Sequence, residues 1–362
     1  MNSNGDGLSI KVLVVDDSVV MRSVLARMLK GTPRIQICGF AKDGAEAVEK
    51  AKQLEPDVIT LDIEMPVLDG IAALKQIMRE RPCPIIMVSS MTYHGAQITL
   101  DALSAGAFDY IPKEELCRAT TSLHIRHVLL DRIEAAARSP LSPCRRRLVP
   151  NASPGWIQRS PSALSQTQPV PKIITMGAST GGPKALEDIL TALPGDFPVP
   201  VVVVQHMPPG FTAPFARRLD GLCEVRVHEA RQGEPLEFGT VYIAPAGKHL
   251  TVFTSTRSPC LCVSDFPSDT LHKPSVDVTM LSVAHIFGRH SLGVILTGMG
   301  NDGLRGMTAI YESGGITIGQ DEATSAVYGM PRACAEHGAL QKVLPLDSIA
   351  DEILAQVSVH VR

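Results

Sequence analysis

Three residues that follow apolar runs have the types of a hydrolytic site: Ser179, His206 and Asp302. A serine hydroxyl is a weak nucleophile until a base takes its proton, and the base needs a group that orients it. Ser179 sits in Gly177-Ala-Ser-Thr-Gly181, which matches G-x-S-x-G, the pattern of a nucleophile on a sharp strand-to-helix turn. The glycines permit a tight turn and a close substrate approach. The helix after it would aim backbone N–H groups at a developing oxyanion, with Thr180 as the first candidate donor. The pattern alone is weak, because a Gly/Ser-rich turn before a helix is more often ordinary turn chemistry. Gly177 to Gly182 also has P-loop spacing, but Pro183 stands where the Lys should be and no Ser or Thr follows Lys184. Nucleotide binding is discounted there.

A second constellation lies earlier. Asp16, Asp17, Asp62, Ser89 and Lys113 each follow or end a short apolar run. Three carboxylates gathered at one place repel one another unless a cation sits among them. Oxygen-only donors suit Mg²⁺, which keeps waters and partners phosphoryl groups. Asp62 would take a phosphoryl group covalently, Lys113 would pair with the acid or its phosphate, and Ser89 would hydrogen-bond a phosphate oxygen. A single acid after a strand is usually a helix cap or a turn residue. Five suitable residues at four strand ends exceed that plain reading.

The elements that must position these groups alternate. Strands are expected at 11–15, 35–40, 57–62, 85–88 and 108–111, with helices from about 19 to 29, 44 to 53 and 71 to 79. Strands alternating with helices predict a parallel sheet covered on both faces, whose functional groups collect at the strands' carboxyl ends. The composition changes over 138–171. Residues 139–171 hold seven Pro and six Ser, with Arg145-Arg-Arg147 and no acid, the pattern of an extended linker. The sole Trp, Trp156, lies in it.

After Pro171 the pattern returns, with strands expected near residues 172–176, 199–205, 224–229, 240–244, 249–254, 260–264, 291–297 and 315–318. Val199 to Gln205 is almost continuously apolar, as a central parallel strand should be. Ser179, His206 and Asp302 then follow three strands of one sheet and can converge. Each has a plainer reading alone: a structural or solvated His, a turn or capping Asp. The last loop also has a rival. Gly298-Met-Gly-Asn-Asp-Gly303 satisfies G-x-G-x-x-G, with Asp321 and Glu322 about twenty residues on. Against that dinucleotide reading, Asp302 would place a carboxylate beside the pyrophosphate, and Ser179 and His206 would have no role.

Bulk properties bound the function. The 362 residues suffice for two or three domains, each with its own core. A net charge of −3 favours neither nucleic acid nor an anionic membrane as partner. No run of eighteen apolar residues exists, so no membrane insertion is expected. The eight cysteines follow no metal spacing. Cys260-Leu-Cys262 reads as small hydrophobes on a strand, and a reduced cytoplasmic compartment is the simpler setting.

Two resemblances extend these readings. The segments VLVVDDS, LDIEMPVLDG, MVSS and YIPK resemble those of response-regulator receiver domains. The resemblance implies a flavodoxin-like doubly wound domain over residues 10–130. Asp62 would be the phosphorylated acid, Asp16 and Asp17 would join it as Mg²⁺ ligands, and Ser89 and Tyr110 would be a switch pair acting with Lys113. Receivers commonly carry Pro after that Lys, where this chain has Glu114. The segments GASTGGPKAL, VQHMPPGFT, GTVYIAPAGKHL, PSVDVTM, ILTGMGNDG and YGMPRAC resemble the chemotaxis protein-glutamate methylesterases, the CheB family. This implies a Rossmann-like doubly wound α/β esterase domain over 172–355, joined by the linker at 138–171. Ser179, His206 and Asp302 would be catalytic, Thr180 and the Met299 region would supply oxyanion donors, and this domain would need no cofactor. The implied substrates are glutamyl methyl esters, and in many members glutamines, on the cytoplasmic helices of methyl-accepting chemoreceptors. The implied phosphodonor is the chemotaxis histidine kinase. The unphosphorylated receiver is expected to hinder the esterase site.

Overall fold

The computed structural model describes residues 9–118, 123–139, 170–254 and 258–358. Backbone contacts divide the chain into two units, Met1–Gln166 and Thr167–Arg362. The linker expected at 138–171 falls mostly outside the described residues, as does Trp156.

The first unit is a five-stranded parallel sheet in the order β2-β1-β3-β4-β5. Its strands are β1 (Ile10–Val15), β2 (Ile35–Ala41), β3 (Val58–Asp62), β4 (Ile85–Ser89) and β5 (Asp109–Pro112). β3, β4 and β5 are buried along their whole length, which is why they read as unbroken apolar runs. The connecting helices are α1 (Val19–Leu29), α2 (Gly44–Leu54), α3 (Gly70–Glu80) and α4 (Tyr93–Ser104), followed by α5 (Lys113–Arg118) and α6 (Leu123–Arg138). Asp43 and Asp69 are N-caps whose side chains accept backbone N–H groups of α2 and α3, so the plain reading of an acid after a strand holds for them. Helix α4 is absent from the expectations above. Of its buried residues only Leu100 and Leu103 are large and apolar; Gly95, Ala96, Thr99 and Ala102 are small or polar and weaken the periodic signal. α6 runs past the boundary expected at 130, and an Arg132–Asp109 ion pair of 3.2 Å ties it to β5.

The second unit is a seven-stranded sheet in the order β14-β13-β12-β6-β7-β9-β8, parallel at every pairing. The three central strands are β12 (Ser291–Ile295), β6 (Ile173–Ala178) and β7 (Val201–Gln205), all fully buried. From β6 the chain first builds outward through β7 to β8 (Arg226–Glu229) and β9 (Thr240–Ile243). It then returns to the other side of β6 with β12, β13 (Ile316–Gln320) and β14 (Lys342–Leu344). That reversal makes a switch point beside β6, where open α/β sheets form crevices.

Two expected strands do not join this sheet. β10 (His249–Thr254) and β11 (Pro259–Ser264) form a separate antiparallel hairpin. Its apolar face packs through Leu250, Val252 and Leu261 into the core that also holds Val276, Met280 and Val283. Cys260 and Cys262 lie on β11 as free thiols. β14 was not expected, being a three-residue, largely exposed strand at the sheet's edge. No helix among the described residues is long and apolar enough to cross a membrane.

Candidate active site

The elbow at Ser179 is built from glycines with identifiable reasons. Gly181 has φ +76° and precedes helix α7 (Gly182–Leu190) as its N-cap, with Pro183 in the first turn. A side chain at Gly181 would be strained, and its Cβ would lie 2.5 Å from Ala326 Cβ. Ser179 N donates to Thr297 O at 3.0 Å, and its carbonyl accepts Gly182 N at 2.8 Å. Thr297 Oγ1 donates to Thr180 O at 2.9 Å. The elbow is therefore held from β6, from the chain after β12 and from its own helix. Gly298 lies against Ser179: a Cβ there would be 2.8 Å from Ser179 Cβ. Ser179 itself is half-buried.

His206 follows β7 directly, and its backbone N donates to Ala178 O at 3.0 Å. The His206 backbone is thus fixed to the residue before Ser179. His206 Nε2 lies 2.8 Å from Asp302 Oδ2. Nδ1 is buried and has no hydrogen-bond partner among the described residues. An ionised Asp302 accepts only, so it assigns the proton to Nε2 and the lone pair to Nδ1. Ser179 Oγ makes no hydrogen bond to His206 among the described residues. Such contacts often tighten only when substrate binds. The His272 ring stacks on His206, with centroids 4.1 Å apart and planes at 20°.

Asp302 has three other donors. Ser275 Oγ and Asp277 N reach Oδ1 at 2.9 Å each, and Val276 N reaches Oδ2 at 2.8 Å. Ser275 is the N-cap of α9 (Val276–Phe287), so the carboxylate sits on the first turn of a helix, where the backbone dipoles favour a negative charge. Burial opposes ionisation of Asp302. The His206 hydrogen bond and charge, with the helix N–H groups, outweigh it and hold the carboxyl well below the usual range.

The same neighbourhood answers the dinucleotide reading of Gly298 to Gly303. The N-terminus of α10 (Leu304–Glu312) offers the N–H groups of Gly303 and Gly306, and both go to Asp277 Oδ1, at 3.0 and 2.9 Å. Asp302 is bound to His206 and α9. A pyrophosphate would meet two carboxylates and no free helix terminus. Thr180, a candidate oxyanion donor, precedes α7 and is buried. Met299 follows Gly298 and is half-buried beside the elbow.

In the first unit the carboxyl ends of β1, β3, β4 and β5 bring the other constellation together. Oxygens of Asp16, Asp17 and Asp62 lie within 4.8 Å of one another. Lys113 Nζ lies 2.6 Å from Asp62 and 3.7 Å from Asp16. Burial pushes the Asp62 carboxyl up to about 6, against the opposing pull of Lys113, and raises Asp16 as well. Burial would lower the Lys113 ammonium, but Asp62 outweighs it and raises it. Asp16 Oδ2 is buried without a hydrogen-bond partner among the described residues. Oxygen-only donors from two buried carboxylates and the exposed Asp17, with Asp16 Oδ2 making no hydrogen bond among the described residues, fit Mg²⁺. Ser89 Oγ is likewise buried and makes no hydrogen bond among the described residues. Tyr110 is buried on β5. Glu114, the departure from the receiver pattern, accepts Met91 N at 2.9 Å and ties down the chain after β4.

Sequence reasoning missed the partners of Asp302, which are Ser275, Val276 and Asp277, and it missed His272 and Gln205. PSVDVTM and VQHMPPG contain most of them, but only as matching strings. No spacing rule links residue 275 to residue 302.

Comparisons with known proteins agree across both units. Residues 174–353 match the family model described as CheB methylesterase, and residues 12–121 match the response regulator receiver domain. A protein-glutamate methylesterase/protein-glutamine glutaminase of Oleidesulfovibrio alaskensis is 42% identical, over 96% of this chain and 99% of its own. One from Geobacter sulfurreducens is 44% identical over 95% and 96%. The crystal structure of the Thermotoga maritima CheB methylesterase catalytic domain aligns with a TM-score of 0.50 at 40% identity, covering 51% of this chain and 98% of that one. The chain belongs to the CheB methylesterase family, an α/β hydrolytic domain preceded by a response regulator receiver domain.

Proposed function

We propose that this protein is a phosphorylation-activated esterase that demethylates glutamate γ-methyl esters, and deamidates glutamines, on the cytoplasmic helices of methyl-accepting chemoreceptors. Ser179 is the nucleophile, His206 the base and Asp302 the group that orients the base. The observation that carries this is the His206 Nε2–Asp302 contact of 2.8 Å, made at the ends of the two strands that flank the strand of Ser179. Ser179 Oγ bonds to the ester carbonyl carbon while its proton passes to His206 Nδ1. The tetrahedral oxyanion faces the α7 N-terminus, with Thr180 N and the Met299 region as donors. The C–OCH₃ bond then breaks, and methanol leaves with the proton from His206. Water attacks the acyl carbon and gives a proton to His206; the bond from that carbon to Ser179 Oγ then breaks, Oγ takes the proton back from His206, and the glutamate carboxyl group leaves and ionises. A glutamine follows the same course with ammonia leaving.

Control resides in the receiver. An Asp62 oxygen takes the phosphoryl group from the chemotaxis histidine kinase as the donor's bond to phosphorus breaks. Bound Mg²⁺, held by Asp16, Asp17 and Asp62, would neutralise charge on the phosphoryl oxygens. Lys113 holds Asp62 in place, Ser89 moves to the phosphate, and Tyr110 follows it. The setting is the cytoplasm, where receptor helices and kinase are both accessible.

The test is methanol release from a methylated chemoreceptor fragment, with and without a small phosphodonor. The wild-type rate rises with phosphodonor, and Asp62→Asn stays at the basal rate. Activation of Asp62→Asn would sink the regulatory reading. A fragment starting near Lys172 distinguishes relief of inhibition from recruitment. It should exceed the unphosphorylated whole chain under the first and not under the second.

The acid cluster predicts a pH-dependent effect of Mg²⁺. Asp62 is held at about 6 against an ordinary 3.8, so within that window the folded state binds more protons than the unfolded state. Its contribution to stability therefore falls as pH rises from about 4 to about 6, and is level above. Mg²⁺ binding offsets the buried charge and stabilises by mass action. The Mg²⁺-induced rise in Tm should grow between pH 4.5 and 6.5, then plateau, and be largely absent in Asp17→Ala. Equal shifts at pH 4.5 and 7, or a full shift in Asp17→Ala, would reject this site.

A further inference from the structure

We infer that Gln205 is a positioning residue for the hydrolytic reaction, its one amide group donating to the main chain of both the nucleophile and the base. This rests on the reading of Ser179 and His206 just given. Gln205 is the last residue of β7 and is 1% exposed. Its Nε2 lies 2.9 Å from Ser179 O and 3.1 Å from His206 O. Two carbonyl acceptors around one end of the amide place the NH₂ there and the oxygen at the other end.

The backbone explains why a side chain is needed at this point. The β6–β7 ladder ends at the pair Ala178 and Gln205, with His206 N donating to Ala178 O as its last rung. Beyond that rung β6 turns into the elbow. β7 continues as His206-Met-Pro-Pro, and the two prolines have no N–H to give. The two strands would diverge where the two reacting side chains must keep one separation. Gln205 supplies a further rung across the gap, and each of its two amide protons serves one strand.

The other end of the amide supports a role beyond packing. Oε1 is buried and has no hydrogen-bond partner among the described residues. It lies against Gly182, where a Cβ would come within 2.1 Å of it. An unsatisfied buried oxygen costs stability, and an apolar side chain of the same length would not incur that cost. Gln205 is thus a poor choice for the core and a good one for holding two carbonyls. Misplacement of reacting groups by about 1 Å can lower rates by about 10²-fold.

The experiment measures kcat and KM for methanol release from a methylated chemoreceptor fragment, using the full chain with phosphodonor. Gln205→Met keeps length and removes both donors. We expect kcat to fall about 10- to 100-fold, with KM within about 2-fold and Tm unchanged or raised. Gln205→Glu keeps the shape and should lose kcat at least as much, so it decides should Gln205→Met fold poorly. A kcat per folded molecule within about 2-fold of wild type in the folded variant would overturn the proposal and leave Gln205 a packing residue. Ser179→Ala is run in parallel. Wild-type turnover by that variant would refute the nucleophile itself, whereas an inactive Ser179→Ala beside a fully active Gln205→Met would refute only Gln205.

Discussion

Ser179→Ala should release methanol from methylated receptor at a rate lower by on the order of 10³-fold or more, with KM little changed. The hydroxyl is the only atom removed, and it makes no hydrogen bond among the described residues, so folding has little reason to suffer. The elbow is held by main-chain groups instead: Ser179 N to Thr297 O and Gly182 N to Ser179 O. A Tm close to wild type is therefore part of the expected result. His206→Ala should cost a similar factor. The double variant should be scarcely worse than either single one, because nucleophile and base act as a unit. Additive losses would mean that the two residues serve separate steps. Near wild-type turnover of Ser179→Ala would end the assignment.

Both sites were legible in the sequence because parallel sheets separate structure from chemistry along the chain. A strand covered on both faces must be apolar throughout, so the first polar residue after it stands out. Asp62, which closes Val-Ile-Thr-Leu, is such a residue, and His206 stands out one position after Gln205 closes Val-Val-Val-Val. The residue pattern marks β10 and β11 as strands but not as a separate sheet, because strand pairing is not written in a strand's own pattern. β14 has three residues and no buried side to impose a period. The least legible part was what holds Asp302. Its partners lie 25 to 27 residues earlier, at the start of α9, and meet it only once β12 is in the sheet. Gln205 was hidden differently: it ends an apolar run and reads as the strand's polar boundary.

That holding arrangement makes Asp302→Asn the more informative change at the site. The carboxylate accepts four hydrogen bonds, from Ser275 Oγ, Val276 N, Asp277 N and His206 Nε2. A carboxamide has one accepting oxygen, and its NH₂ must face two of those donors. Placed at the Oδ2 position, the NH₂ opposes Val276 N–H and lets His206 stay close only by accepting at Nε2. The ring proton then moves to Nδ1, the atom that must take the serine's proton. Placed at the Oδ1 position, it opposes Asp277 N–H, and only Ser275 can rotate to accept. Either way a backbone N–H of α9 loses its acceptor, at a cost of about 1–3 kcal/mol. The first placement imposes the wrong tautomer and should lower turnover by about 10⁴-fold; the second keeps the tautomer but removes the negative charge that stabilises the imidazolium, and both losses exceed what the drop in stability explains. Asp302→Asn should therefore be folded at 25 °C, melt lower than wild type, and be nearly inactive. A variant that keeps more than about a tenth of wild-type kcat would show that Asp302 serves the fold of the α9 terminus and not the orientation of His206.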